Sequence, residues 1–136
     1  MFETFDHTAD IGLRVSAATL EELFVDAARG LTSLLVENVD DVQPTQTETI
    51  QLAGSKVDYL LFDWLNELLF RFETRQLLCA EFDVRFSDQV LEATVRGETW
   101  DRSRHRLAHE VKAITYHGLS VQQTASGWQT ELILDI

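Results

Sequence analysis

The stretch VDYLLFDWLNELLFRFETRQLLCAEFDVRF, residues 57–86, decides the architecture. Val57, Leu60, Leu61, Trp64, Leu65, Leu68, Leu69 and Phe72 recur at helical spacing, and Phe62 and Phe70 widen the apolar face. The spacing predicts a core helix that Ser55 caps and that runs to about Arg75. At Leu77 the period changes from helical to two. Leu78, Ala80, Phe82, Val84 and Phe86 alternate with polar residues, Ser87-Asp88-Gln89 supplies a turn, and Leu91, Ala93 and Val95 form the return strand.

Upstream, Ile11, Leu13 and Val15 alternate with Gly12, Arg14 and Ser16, as in a half-buried strand. Thr19 and Glu22 have capping-box spacing, and Leu20, Leu23, Phe24, Ala27, Leu31, Leu34 and Leu35 follow on one helix face, giving a helix over about 19–36. Asn38 to Thr49, with the single proline Pro44, reads as a loop, and Thr49 to Ala53 as a short strand. Downstream, Val111 to about Gln122 reads as a strand, Ser126-Gly127 as a turn, and Trp128, Thr130, Leu132, Leu134 and Ile136 as a final alternating strand. The expectation is an α+β fold in one domain, residues 1–136. Two helices pack on a mostly antiparallel sheet in the order β-α-β-α-β-β-β-β.

The 136 residues carry a net charge of −12 and are 45% hydrophobic. That is a globular composition, large enough for a core without disulfides or a structural metal. The acidity argues against general nucleic-acid binding and fits cation binding or docking on a basic partner. One cysteine, Cys79, has no internal disulfide partner. The residues after Met1 lack a signal-peptide pattern, and no apolar run reaches membrane length, so a cytoplasmic location is expected.

Three constellations bear on chemistry. In His7-Thr8-Ala9-Asp10, beside Asp6, Asp10 stands at a strand entrance with a parity opposed to Ile11, Leu13 and Val15. Such a carboxylate suits a divalent cation, but an ordinary surface turn in which Asp accepts backbone N–H groups is the commoner use of this pattern. In Ile133-Leu134-Asp135-Ile136, Ile136 shares the parity of Leu132 and Leu134, so its side chain and its α-carboxylate are expected to be held next to Asp135. The simpler alternative is an edge strand that stops, with Asp135 solvated. Between residues 96 and 112, Arg96, Arg102, Arg104, Arg106 and Lys112 place five of the eleven basic residues in seventeen positions. Arginine there can grip phosphate or a carboxylate, although most charge runs balance their neighbours. Glu110 and Lys112 share one strand face. His105, His109 and His117 form no zinc signature, Asp63, Asn66 and Glu67 read as a solvated helix face, and no nucleophile–base pair or phosphate loop is present.

His7-Thr8-Ala9-Asp10-Ile11-Gly12, Val111-Lys112-Ala113-Ile114-Thr115-Tyr116-His117-Gly118-Leu119 and Leu134-Asp135-Ile136 occur in the order in which the archease family carries its motifs. Asp63-Trp64-Leu65-Asn66-Glu67-Leu68 is also similar, so the chain resembles that family over nearly its whole length. The resemblance implies a protein that is not itself an enzyme. It implies a protein that assists the RtcB-type ligase of tRNA splicing and RNA repair by promoting GTP-dependent guanylylation of the ligase histidine and multiple turnover. It also implies a divalent ion (calcium, magnesium or manganese) on Asp10, Asp135 and the α-carboxylate of Ile136. His7, Glu110, Lys112 and Arg104 are then expected to position partner or nucleotide, and RNA or GTP to be met only together with the ligase. The alternatives are a stand-alone metal-dependent hydrolase and a chaperone or assembly module whose metal is incidental.

Overall fold

The computed structural model describes residues 1–7 and 10–136; Thr8 and Ala9 of the first motif lie outside them. Seven strands and two long helices follow one another: β1 (Phe2–His7), β2 (Asp10–Ala17), α1 (Leu20–Leu35), β3 (Gln46–Ala53), α2 (Val57–Arg75), β4 (Leu77–Ser87), β5 (Val90–Thr99), β6 (Ala113–Thr124) and β7 (Gly127–Asp135). The α+β class and the strand–helix order expected from β2 onward are those observed. β1 is an additional strand. All pairings between these strands are antiparallel, in two sheets ordered β1-β2-β7-β6 and β3-β5-β4.

Each helix touches both sheets. α1 packs on β1, β2 and β7 of one sheet and on β4 of the other, and α2 packs on β6, β3 and β4. The apolar stripe of α1 explains this placement: Leu23, Phe24, Ala27, Ala28, Leu31, Leu34 and Leu35 are all buried. Thr19 caps it by accepting the Glu22 N–H at 3.2 Å. Trp64 of α2 is fully buried, and its indole N–H donates to the carbonyl of Phe24 at 3.0 Å, so one side chain both fills the core and ties the helices.

Four details differ from the periodicity. Lys56, not Ser55, is the N-cap of α2, and it gives no side-chain cap bond. Phe70 is 58% exposed, because it lies on the side of α2 away from Leu61, Leu65 and Leu68. β3 begins at Gln46, inside the expected loop, because Gln46, Thr47 and Glu48 pair with Gly97, Arg96 and Val95. β6 starts at Ala113 rather than Val111, and its register against β7 shifts between Thr115 and Ser120.

The β4–β5 hairpin turns through Asp88 and Gln89, both at positive φ (49° and 63°), as a tight twisted hairpin requires. A bulge between Cys79 and Glu81 brings β4 so close to β5 that a Cβ on Gly97 would stand 1.8 Å from the Leu78 carbonyl oxygen. Only glycine fits there. No described helix is long and apolar enough to cross a membrane.

Candidate functional site

Four strand ends meet at one end of the larger sheet. Asp10 opens β2 and pairs with Asp135 near the end of β7; His7 of β1 pairs with Asp10; Ala113, opening β6, pairs with Asp135 on its other side. The register follows from the hydrophobic pattern. Ile11, Leu134 and Ile114 must all face the core, where they are buried. Because strand side chains alternate, Asp10, Asp135 and Ala113 take the opposite face together. Two carboxylates are thereby set directly across one ladder. Asp10 is half-buried and Asp135 exposed.

The surroundings hold this end in place. The Lys112 N–H donates to the Asp135 carbonyl at 2.7 Å, and the Thr115 hydroxyl donates to the Ile133 carbonyl at 3.0 Å. Ile136 is half-buried and packs on the core, as its parity predicts. Glu110 and Lys112 are exposed on the approach to β6. The His7 side chain lies outside what the structure describes.

The donor chemistry fits a hard divalent cation. Asp10 and Asp135 supply carboxylate oxygens on facing residues. Among the described residues no cluster of three or more His, Cys, Asp or Glu side chains occurs, so the side-chain part of the set is this pair. Like charges directly opposite on paired strands destabilise the ladder, and a cation relieves that repulsion.

The basic segment is organised differently from what its composition suggested. Arg104 pairs with Glu98 and approaches Asp101 at 3.7 Å, and Arg106 lies 3.3 Å from Glu37. Much of the island therefore balances its neighbours. At its centre lies a cluster that sequence reasoning missed. Glu98 is 7% exposed and His105 3% exposed. Glu98 accepts the Gln43 N–H at 2.6 Å and faces His105 Nε2 at 3.1 Å. Nothing in the alternation of β5 marks Glu98; it sits at a polar-parity position and is buried where Gln43, Arg104 and His105 close on it.

That segment is then laced to the end of α1. Ala108 and His109 donate to the carbonyls of Leu35 and Leu34 at 2.9 Å each, Glu37 donates to the Arg106 carbonyl, and Asn38 bonds both the Arg104 carbonyl and the Arg106 N–H. The lacing delivers Glu110 and Lys112 to the Asp135 end of the sheet. Arg104 is thus tied to Glu98 within the segment.

A groove of about 350 Å³ on the outer face of the larger sheet contains Glu3, Arg14, Gln129 and Glu131. Arg14 there is already paired with Glu3 at 2.7 Å and Glu131 at 3.1 Å. We assign the candidate site to the strand ends instead.

Fold and site together define a small acidic α+β protein of two antiparallel sheets, with paired carboxylates at the strand ends of the larger one. Residues 2–136 match the model of the archease protein family. The chain is 36% identical to the archease of Methanopyrus kandleri and 34% identical to that of Pyrococcus furiosus, over 99% of this chain and 99% and 98% of those proteins. Among solved structures, protein 1598 of Methanobacterium thermoautotrophicum superposes with a TM-score of 0.81 at 29% identity, covering 99% of this chain and 98% of that one. An archease from Thermotoga maritima, described as a possible chaperone, shares the fold with a TM-score of 0.67 at 20% identity, covering 100% of this chain and 98% of that one. The chain belongs to the archease family.

Proposed function

We propose that this chain is a cytoplasmic accessory protein of an RtcB-type RNA ligase, promoting GTP-dependent guanylylation of the ligase histidine and multiple turnover in tRNA splicing or RNA repair. The observation that carries this reading is the pairing of Asp10 with Asp135 at the strand ends, in a chain of this family. In it, Asp10, Asp135 and the α-carboxylate of Ile136 hold a divalent ion (calcium, magnesium or manganese). When bound, the ion offsets the carboxylate charge and supplies a positive centre for phosphate oxygens.

The chain's own residues do the positioning. The Lys112 N–H fixes the backbone at Asp135, and its exposed ammonium stands ready for phosphate or a partner carboxylate. Glu110 adds an acceptor beside it, His7 enters from β1, and Arg104 stiffens the segment that carries both. RNA and GTP are contacted only within the complex, since a surface of net charge −12 repels phosphate on its own.

The test is single-turnover guanylylation of the cognate ligase, with and without this protein. Wild type should accelerate the step, and Asp10→Ala and Asp135→Ala should not. Equal rates with and without wild type would sink the reading. Full stimulation by both variants would favour an assembly role in which the ion is incidental.

A further inference from the structure

The molecule exposes an aromatic strip that neither the core nor the strand-end site uses. Tyr59 of α2 is 48% exposed and Tyr116 of β6 37% exposed, yet their rings stack nearly parallel, 5.0 Å apart at 7°. Phe62 meets Tyr116 edge-on at 5.4 Å. On the same stripe of α2, four and eleven residues beyond Tyr59, lie Asp63, exposed, and Phe70, 58% exposed. The register shift between Thr115 and Ser120 spans Tyr116-His117-Gly118, all exposed. No heavy atom lies within 4 Å of where a Gly118 Cβ would stand, so the ground beside Tyr116 is open.

We propose that this strip, led by Tyr59 and Tyr116, docks an arginine- and lysine-bearing surface of the partner protein next to the strand-end site; the proposal rests on the accessory role above. Three observations favour that occupant. Stacked tyrosines with few rotatable bonds are preorganised contact area, which lowers the entropy cost of binding. Tyrosine faces attract cations, as the Lys56 ammonium 5.6 Å over the Tyr59 ring shows, and exposed Asp63 beside them can accept a bidentate fork, in a chain whose net charge is −12. Tyr116 is three residues, about 10 Å, along β6 from Ala113, which pairs with Asp135, and it lies on the α2 side of this edge strand, whereas the carboxylates take the other side. A protein engaged at the strand ends therefore meets the strip by wrapping the β6 edge. The same charge disfavours RNA, which also stacks on aromatic rings but brings phosphates.

The Tyr116 phenol is held neutral, its pKa pushed up to about 12 chiefly by the adjacent Tyr59 hydroxyl. Substitution can remove the hydroxyl while keeping the ring stack.

The test titrates the cognate ligase, at two salt concentrations, with the wild-type chain, Tyr59→Ala, the double variant Tyr59→Ala/Tyr116→Ala, Tyr116→Phe and Asp63→Lys. Thermal melts accompany each titration. The double variant and Tyr59→Ala should weaken binding about tenfold or more, as loss of central aromatic contacts does. Tyr116→Phe, which keeps the stack, should bind nearly as wild type. Asp63→Lys should bind more weakly, and added salt should matter less to it than to wild type. If the double variant misfolds, Tyr59→Ala, on the exposed side of α2, decides the matter. Wild-type affinity in Tyr59→Ala overturns the proposal while leaving the accessory role standing. Failure of wild type to bind the ligase removes both. Binding of a labelled single-stranded RNA by the chain alone, lost in the Tyr variants, overturns the protein occupant in favour of RNA.

Discussion

His105 Nδ1 accepts the backbone N–H of Asp101 at 2.9 Å, while its Nε2 faces Glu98 Oε2 at 3.1 Å. An imidazole whose Nδ1 is an acceptor carries its proton on Nε2, so the ring is the Nε2–H tautomer and donates to Glu98. One buried ring thus ties the end of β5 to the start of the segment that leads to Lys112. Removing it should leave the Asp101 N–H without its acceptor, Glu98 Oε2 with the Gln43 N–H alone, and a void where the buried ring stood. His105→Ala is expected to cost about 2–4 kcal/mol in urea unfolding. His109→Ala, at an exposed position of the same segment, should change stability by less than about 0.5 kcal/mol. Equal effects for the two would show that the clamp contributes nothing.

The strand-end carboxylates give a cation-dependent melt. Calcium, magnesium or manganese should raise the unfolding midpoint of wild type, by about 2–3 kcal/mol of stability at a hundredfold excess over Kd. Asp10→Ala and Asp135→Ala should melt without a shift. A few residues appended after Ile136 should weaken the shift without unfolding the chain, by displacing the α-carboxylate. A wild-type melt insensitive to all three ions would remove the ion from the proposed function.

Glu48 of β3 anchors the end of α2. Arg75 bonds it with two nitrogens at 2.6 and 2.8 Å, and Arg71 pairs with it from one turn earlier. The hydrogen bonds from Arg75, and then those from Arg71, hold the Glu48 carboxyl below its ordinary range. A lowered folded pKa stabilises the protein above the unfolded value near 4.5, and that stability is lost as pH falls through the folded value. Glu48→Gln should therefore cost about 1 kcal/mol near neutrality, with the difference from wild type closing as pH falls from the unfolded value near 4.5 through the lower folded one. Denaturant curves for both proteins across that range check it.

Cys79 is buried, and burial chiefly, with the nearby charge of Glu48, pushes its thiol up to about 12 against the opposing influence of Arg71 and Arg75. The thiolate is the reactive form. In the native protein at pH 8, a thiol reagent should leave Cys79 intact over the time in which unfolded chain reacts completely. Stability should also decline as pH rises above 9, where the unfolded thiol ionises first. Prompt native-state labelling would contradict the buried environment.

The sequence by itself determined what local periodicity encodes. The stripe of α1, the apolar run of α2 and the alternation of β7 each bury their own side chains, so each leaves a period that can be read, and the exposed turn at Asp88-Gln89 is marked by its polar residues. The parity of Asp10 against Ile11 and of Asp135 against Leu134 was legible for the same reason.

Only the tertiary structure decided what depends on a partner distant in the chain. Phe2–His7 shows no clean alternation, because Phe5 is placed by the strand beside it: β1 becomes a strand by pairing with β2, where a Cβ on Gly12 would collide with the Phe5 ring. The division into two sheets, the exposure of Phe70 and the burial of Glu98 follow from which surfaces the helices and the 99–110 segment cover. That Asp10 faces Asp135 required a ladder between residues 125 positions apart, and such a register is set by matching two buried faces, which neither strand carries alone.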